Sequence, residues 1–476
     1  MASEDPPQER ARAPSPGEAA GDAGWRALAE RSLVDPRQGR RRARVRRFVR
    51  PAERFIRLEV AGGVVIVIAV LLALLWANSP WSGSYREIFA THLALDAWLW
   101  ASDASLKHWI DDALMVVFFF LVGLEIKREV VLGELSSPRR LAVPLVAAAG
   151  GMVVPVLIFL LLVDGEEARR GWAIPMATDI AIALGVLTLL GSRVPASLKV
   201  LLLGVAIVDD IGGVLVIAVF YTEALDYTAL LVVGAVLVAV VLLARYGVRP
   251  VYVYLALGLV GWAATLDSGI HPTIFGVVMG LMTPSRPLYD PHAFGRVAER
   301  VIAQFWRAHD AADRLERREQ EADALHSLST IATETVAPLD RLEHSLLPWS
   351  AFLVVPLFAF ANAGVDLRDG ALEAALGSPL ALGVGAGLVL GKPLGITLGA
   401  WLAVRFGAAL PPGVSWGQFA AMGAIAGIGF TVALFITELS FPAEVLGAGP
   451  AEDLLREAKV GILIGSVIAA LAGLLT

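Results

Sequence analysis

The hydrophobic positions of this chain fall into long blocks, and the polar positions fall mainly into the short segments between them. A membrane-spanning helix needs about 20 mainly apolar residues, and in lipid only helices and closed barrels satisfy every backbone group. The blocks therefore predict an all-α integral membrane protein with about twelve transmembrane helices. The predicted spans lie near residues 59–77, 112–131, 141–163, 172–191, 197–221, 228–245, 251–265, 270–283, 347–364, 380–404, 415–437 and 457–475.

Lysine and arginine in the short connections predict the orientation, because cytoplasmic loops are enriched in these residues. The connections on the same side of the membrane as the arginine-rich N-terminal segment carry Lys127, Arg128, Arg139, Arg140, Arg193, Lys199, Arg245, Arg249 and Arg405. The opposite side carries mainly acidic residues, namely Asp164, Glu166, Glu167, Glu223, Asp226, Asp267, Asp366 and Asp369. Both termini are therefore predicted to be cytoplasmic.

Three regions follow from the distribution of charge. Residues 1–50 are polar and lead into an arginine run at 40–47, which predicts a disordered cytoplasmic tail rather than a cleaved signal peptide. The arginine run serves either as an orientation signal alone or as an orientation signal that also binds anionic lipid. Residues 51–475 form the transmembrane domain. Within it, residues 286–345 are a charged cytoplasmic insertion, either an amphipathic helix on the membrane or bundle surface or a solvated segment.

The composition narrows the function classes. Hydrophobic residues make up 57% and charged residues 18%, against about 25% charged in soluble domains. A net charge of −6 does not favour nucleic acid as a partner. The chain has no cysteine, and its seven histidines form no zinc-type cluster. We therefore expect no cofactor.

Two adjacent carboxylates, Asp209 and Asp210, stand in the middle of an apolar run. One carboxylate at the bilayer centre costs roughly 2.5–3.5 kcal/mol on the mildest scale, and a pair costs about twice that. Successive helical residues point about 100° apart, so one carboxylate can face a cavity while the other faces a neighbouring helix. The pair indicates a site for a cation, a proton or both.

Two predicted spans are interrupted. Pro175 precedes Thr178 and Asp179, so the helix is expected to break and restart with Asp179 near helix N-termini. An ordinary proline kink with a capping aspartate is the alternative. Gly427 and Gly429 interrupt a span in the second half of the chain. A pair of interrupted spans in corresponding halves is typical of transporters built from inverted repeats.

Lys392 is an ammonium deep in a span and is followed by a proline. It could pair with a carboxylate, offset helix C-termini or exchange a proton, and a lysine that reaches the membrane surface is the plainer alternative. Glu125, Arg128 and Glu129 share one helical face, and Glu343 precedes another span. These four are either surface ion pairs or an acidic funnel that collects cations.

Seven stretches together resemble the NhaA-type sodium/proton antiporters of bacterial inner membranes, over about residues 50–475. They are residues 113–129, Ala177-Thr-Asp-Ile-Ala181, Leu190-Gly-Ser-Arg-Val-Pro195, Val208-Asp-Asp-Ile211, Pro356-Leu-Phe-Ala-Phe-Ala-Asn-Ala-Gly364, Leu390-Gly-Lys-Pro-Leu-Gly395 and Gly427-Ile-Gly-Phe-Thr431. The resemblance implies inverted-topology repeats and two crossed, interrupted helices. It also implies a pH-regulated, electrogenic exchange of sodium or lithium for protons, and no enzyme activity.

The resemblance also implies roles for single residues. Asp209 and Asp210 would bind the sodium ion and the proton, Thr178 would line the site, and Asp179 and Lys392 would balance the dipoles of the broken helices. The residues matching pH-regulatory positions are Glu125, Arg128, Glu129, His271 and Glu343, and Asp112 matches a position in the outer funnel. Leu347 stands where many members have a second histidine, and both the tail and the insertion are longer than usual.

Other functions fit the residues less well. A sodium-coupled solute symporter of similar fold is the main alternative, but the interrupted spans have few of the amide and aromatic side chains that a solute cavity needs. An intramembrane aspartyl protease needs two carboxylates on one water, whereas adjacent helical aspartates diverge. The aromatic residues expected around a retinal on Lys392 are missing. The expected partners are sodium, protons and membrane lipid, and a homodimer is left open.

Overall fold

The computed structural model describes residues 42–97, 100–133, 138–191, 194–222, 225–248, 251–287, 289–309, 314–368, 370–410 and 413–476. Most of the predicted N-terminal tail lies outside these residues. Apart from the start of the first helix, every feature below belongs to the compact unit Ile56–Thr476.

The described chain is helical except for one hairpin. The helices are α1 (Arg42–Ala77), α2 (Ser82–Ala90), α3 (Leu106–Trp109), α4 (Met115–Val131), α5 (Pro138–Leu162), α6 (Glu166–Arg169), α7 (Ile180–Leu189), α8 (Ala196–Phe220), α9 (Tyr227–Arg245), α10 (Val251–Leu266), α11 (Pro272–Met282), α12 (Pro291–His309), α13 (Arg314–Glu334), α14 (Pro338–Trp349), α15 (Val355–Asn362), α16 (Ala371–Gly377), α17 (Pro379–Ala386), α18 (Lys392–Arg405), α19 (Trp416–Ile425), α20 (Phe430–Ser440), α21 (Ala443–Leu446) and α22 (Ala448–Leu475). A 3-10 helix (Arg170–Met176) continues α6, and π-helical segments (Ile110–Leu114, Ser350–Val354, Gly387–Gly391) join α3 to α4, α14 to α15 and α17 to α18.

Several helices are long and apolar enough to cross a membrane. Among the described residues these are Val60–Ala77, Leu141–Leu162, Ala196–Phe220, Tyr227–Arg245, Pro338–Asn362, Pro379–Arg405 and Ala448–Leu475. Two further pairs bend at a break, by 47° at Glu166–Met176 and Ile180–Leu189 and by 49° at Trp416–Ile425 and Phe430–Leu446. The protein is therefore a multi-pass membrane protein, and its described residues contain seven such spans, or nine if each bent pair counts as one span.

The prediction of an all-α chain omits a small β-hairpin. Strands β1 (His92–Ala97) and β2 (Trp100–Ser105) pair antiparallel, with His92 opposite Ser105 and Ala97 opposite Trp100. The strands are short and lie between helices, so their alternation is too brief to stand out from a polar loop.

Several helices start where a polar side chain satisfies free backbone N–H groups. Asp226 accepts hydrogen bonds from the backbone N–H groups of Thr228 and Ala229 at the start of α9. Ser415 and Gln418 form a reciprocal capping box at the start of α19. Such caps stabilise a helix by about 1 kcal/mol and fix where it begins.

Glycines allow two helix pairs to pack with their backbones in contact. A Cβ added to Gly395 of α18 would lie 2.1 Å from the carbonyl oxygen of Gly150 in α5. A Cβ added to Gly123 of α4 would lie 2.5 Å from the carbonyl oxygen of Val277 in α11. Small residues at helix interfaces permit this close approach in membranes.

We expect Gly395→Ala to lower the thermal unfolding midpoint in detergent. The new methyl group meets a backbone oxygen rather than a flexible side chain, so α5 and α18 must separate, and overpacking of this kind costs about 1–3 kcal/mol. Gly234→Ala in α9 is the matched control, because nothing lies within 4 Å of the added Cβ. Equal unfolding midpoints for the two variants would contradict the close packing.

The predicted insertion is a helical hairpin. Helices α12 and α13 pack on each other, and Val301 of α12 and Ala324 of α13 are both buried. The backbone N–H of Leu339 donates to the carbonyl oxygen of Pro284 at 3.2 Å, so the chain enters and leaves the hairpin at one point. Val301, an apolar position of α12, thus packs within the hairpin itself.

Candidate functional site

The breaks in the two bent helix pairs meet inside the protein. The Asp179 backbone N–H donates to the carbonyl oxygen of Ile428 at 2.6 Å. The hydroxyl of Thr178 donates to the carbonyl oxygen of Ala426 at 2.9 Å. Backbone groups that each break leaves without a helical partner are therefore satisfied by the other break.

The carboxylate of Asp179 links two half-helices. Its Oδ1 accepts from the N–H of Ile182 at 3.1 Å and thereby caps the N-terminus of α7. Its Oδ2 accepts from the N–H of Thr431 at 3.1 Å and from the Thr431 hydroxyl at 2.6 Å, in the first turn of α20. A negative charge at this point lies where two helix N-termini favour it. Sequence reasoning missed Thr431 as a partner, although it ends the glycine-rich stretch.

Pro175, Gly427 and Gly429 surround the meeting point. Pro175 is buried at the end of the 3-10 helix. A Cβ on Gly427 would lie 2.3 Å from the carbonyl oxygen of Leu388, and one on Gly429 would lie 3.0 Å from the Leu388 side chain. The glycines therefore let the π-helical segment before α18 approach the second break closely.

Lys392 and Asp209 form a buried ion pair. The Lys392 Nζ donates to Asp209 Oδ2 at 2.6 Å, and the two side chains are 1% and 2% exposed. The pair joins the start of α18 to the middle of α8, 183 residues apart. The other oxygen, Asp209 Oδ1, is buried and has no hydrogen-bond partner among the described residues. Such an oxygen is available to an additional donor or to a cation.

Asp210 borders a small cleft next to this pair. The cleft is lined by Phe119, Met176, Ala177, Asp209, Asp210, Gly213, Val214, Ile217 and Val432. It thus connects α8 with the end of the 3-10 helix and the start of α20. The arrangement brings two carboxylates, a lysine and a largely apolar wall together, so any change of charge on one group strongly affects the others.

The residues predicted to regulate pH dependence form two separate groups. Arg128 is ion-paired with Glu343 across α4 and α14, and its Nε lies 3.6 Å from Glu129. Glu125 is buried on the same helix. His271 instead lies 3.5 Å from Asp112, through its Nε2 and a carboxylate oxygen.

Asp366 lies in the connection before α16. The guanidinium of Arg368 donates to both Asp366 carboxylate oxygens, at 2.9 and 2.6 Å, and holds the pKa of Asp366 at about 2. A lowered carboxylate pKa contributes stability above the usual aspartate range, and this contribution is lost as the pH falls through the folded-state value. The pair therefore stays charged near neutral pH and is a poor candidate for a pH sensor.

Sequence reasoning missed a second buried cluster of charges. Glu438 of α20 is ion-paired with Lys107 of α3 and, at 2.6 Å, with Lys459 of α22. Asp111 lies 3.8 Å from the Lys107 Nζ and accepts from the Asn362 amide at 2.6 Å. The signal was present for Glu438, which interrupts an apolar helix, whereas Lys459 ends a charged stretch at the start of α22.

These features define a class of protein: a multi-pass membrane protein with ionisable groups buried where two broken helices meet. The sequence model of the family Na+/H+ antiporter 1 matches residues 53–476. The chain belongs to this family.

Relatives cover most of the chain. It is 45% identical over 429 residues to the Na+/H+ antiporter NhaA 2 of Sorangium cellulosum strain So ce56, covering 89% of this chain and 88% of that protein. It is 43% identical to the Na+/H+ antiporter NhaA 2 of Myxococcus xanthus strain DK1622, with the same coverage. It is also 43% identical to the Na+/H+ antiporter NhaA of Oleidesulfovibrio alaskensis, covering 90% of this chain and 93% of that protein.

Proposed function

We propose that the protein exchanges sodium ions for protons across a membrane, with Asp209 and Asp210 as the shared binding site. The observation that carries this proposal is the buried Lys392–Asp209 ion pair, with Asp210 beside it on a cleft at the meeting of two helix breaks. Family membership and the names of the relatives support the same exchange.

Competition for the carboxylates couples the two ions. A carboxylate oxygen binds either a proton or a hard cation such as sodium or lithium. Asp209 Oδ1 lacks a hydrogen-bond partner among the described residues and is therefore one candidate ligand, and Asp210 supplies a second charge. We propose that two protons move for each sodium, which makes the transport electrogenic.

The broken helices support the site. Asp179 and Lys392 balance the dipoles of the half-helices, since one is negative beside helix N-termini and the other is a buried cation. Thr178 lines the ion path next to the first break. In this proposal the two bent pairs are the crossed, interrupted helices of an inverted-repeat transporter with twelve spans.

The cellular setting completes the proposal. The protein lies in the bacterial inner membrane with both termini in the cytoplasm, as the lysine and arginine distribution predicts. The N-terminal arginine run contacts anionic lipid, and the insertion lies on the cytoplasmic face. In this setting the exchange serves sodium and pH homeostasis, and the transported ions take the place of a cofactor.

Purified protein in liposomes with a trapped pH dye tests the exchange. Sodium added outside is expected to raise the pH inside, where the dye is trapped, because protons leave the liposome as sodium enters. A potassium-selective ionophore that clamps the voltage is expected to speed the response if the transport is electrogenic. Proton movement that also requires an added organic solute would favour the sodium-coupled symporter instead.

The Arg128 cluster is proposed to set the pH at which exchange begins. Arg128 bridges Glu343 and Glu129, so protonation of either carboxylate releases the arginine and alters the packing of α4 against α14. We expect Glu343→Lys and Glu129→Cys to shift the pH of half-maximal exchange and to change the maximal rate less. Exchange is measured from about pH 6 to 9 in each variant to obtain its pH profile.

Two comparisons sharpen this test. Glu452→Gln is the control, because Glu452 is exposed on α22 and far in sequence from the cluster. Replacing His271 tests whether the separate Asp112 group also contributes to the pH profile. An equal loss of rate at every pH in the Glu343 and Glu129 variants would show that the cluster is structural.

A further inference from the structure

Helix α20 is held by charged contacts at both of its ends. In its first turn Thr431 donates two hydrogen bonds to Asp179. In its last turns Glu438 is ion-paired with Lys107 and Lys459. Thr431 and Glu438 are seven residues apart, which places them on one helical face about 10 Å apart along the axis.

The two lysines come from different elements. Lys107 belongs to α3, whereas Lys459 belongs to α22, and the side chains of Glu438 and Lys459 are only 12% and 10% exposed. The Lys107 side chain is 30% exposed, so the Lys459 pair is the more deeply buried of the two. A slide or rotation of α20 therefore stretches at least one of these ion pairs. Buried ion pairs resist such displacement strongly, because a separated charge is left without compensation.

The cluster is close to electrically neutral. Asp111, between α3 and α4, faces Lys107 at 3.8 Å, and Asn362 of α15 donates to Asp111. Two ammonium groups thus face two carboxylates. Asp112, the residue directly after Asp111, pairs instead with His108 and His271. The lysines of α3 and α22 are therefore ion-paired with Glu438, and Lys107 is also near Asp111.

We propose that Glu438 is a positioning residue for the ion site. Helix α20 has only 11 residues and begins directly after the break, so no continuous helix fixes its direction. The two ion pairs of Glu438 fix its axial position and rotation, and thereby keep the Thr431 donors on Asp179. The break then keeps a fixed geometry beside the cleft, which Val432 and Asp210 line. This proposal rests on the function proposed above.

A double variant separates positioning from folding. Glu438→Gln alone leaves an excess buried positive charge and lowers the folded yield. Glu438→Gln combined with Lys459→Gln leaves Lys107 paired with Asp111, so the cluster stays neutral. We expect the double variant to fold but to raise the apparent KM for sodium about tenfold, with a smaller change in maximal rate, because small displacements of positioned groups have large effects.

Sodium-dependent stabilisation gives a second readout. A ligand that binds only the folded state raises the unfolding midpoint as its concentration exceeds Kd. The sodium concentration that gives half of the maximal shift should rise by the same factor as the apparent KM. Glu452→Gln, an exposed change of the same chemistry on α22, should leave both readouts as in the wild type.

The outcomes are distinct. A folded double variant with a wild-type KM and a wild-type sodium dependence of the midpoint overturns the positioning role and leaves the exchange proposal intact. If the wild-type protein itself shows no sodium-driven proton movement, the proposed function fails.

Discussion

Asp210→Asn is expected to abolish sodium-driven proton movement at every pH while the protein stays folded. Asp210 borders the cleft at the two breaks, and an amide of almost the same shape carries neither a titratable proton nor a negative charge. The loss should exceed about 100-fold, as is typical when a group that carries the chemistry is removed. The dye-loaded liposomes measure the rate, and the unfolding midpoint confirms the fold.

An exposed aspartate gives a matched control for the Asp210→Asn variant. Asp164→Asn makes the same chemical change at a side chain that is 99% exposed, and should leave exchange unchanged. An Asp210→Asn variant with normal rate and normal apparent affinity for sodium would remove Asp210 from the site. Asp209→Asn should also lose rate at all pH values, in contrast to the Glu343 and Glu129 variants.

Lys392→Ala is expected to lower both the stability and the rate of exchange. The substitution leaves Asp209 buried without its cation, and breaking a buried pair costs about 3–5 kcal/mol. Lys392→Arg and Lys392→His should keep more of both properties, because each can carry a positive charge. Thermal unfolding in detergent and exchange in liposomes measure the two effects.

A double variant tests whether the pair itself is responsible. Lys392→Ala combined with Asp209→Asn should unfold at a higher temperature than Lys392→Ala alone, since no uncompensated charge remains. Lys199→Ala removes a lysine near the start of α8 and serves as the matched control. An alanine variant at position 392 that equals the wild type in stability and rate would mean that the buried pair is not needed for either property.

The local features of the site could be predicted from the sequence, because they depend on neighbouring residues. The apolar blocks located the helices, and Pro175 and the glycines at 427 and 429 located the breaks. The cost of burying charge singled out Asp209 and Lys392 as functional candidates. Their partnership could not be predicted, because several carboxylates were available and the contact joins positions 183 residues apart.

Other features escaped prediction for the same physical reason. The Glu438 cluster depends on the packing of α3, α20 and α22, which no local pattern encodes. His271 and the Arg128 cluster were grouped together by resemblance, yet the structure pairs His271 with Asp112 and Arg128 with Glu343. The π-helical segments change the direction of side chains by a local insertion that leaves the apolar pattern intact.

The hydrogen bond between Leu339 and Pro284 has a practical consequence. Because the two ends of the α12–α13 hairpin meet, its length is uncoupled from the positions of α11 and α14. A hairpin of another length, or a fluorescent reporter domain, can be spliced between these two residues at a small cost in loop entropy. The same geometry allows the segment to differ in length without disturbing the helices on either side of it.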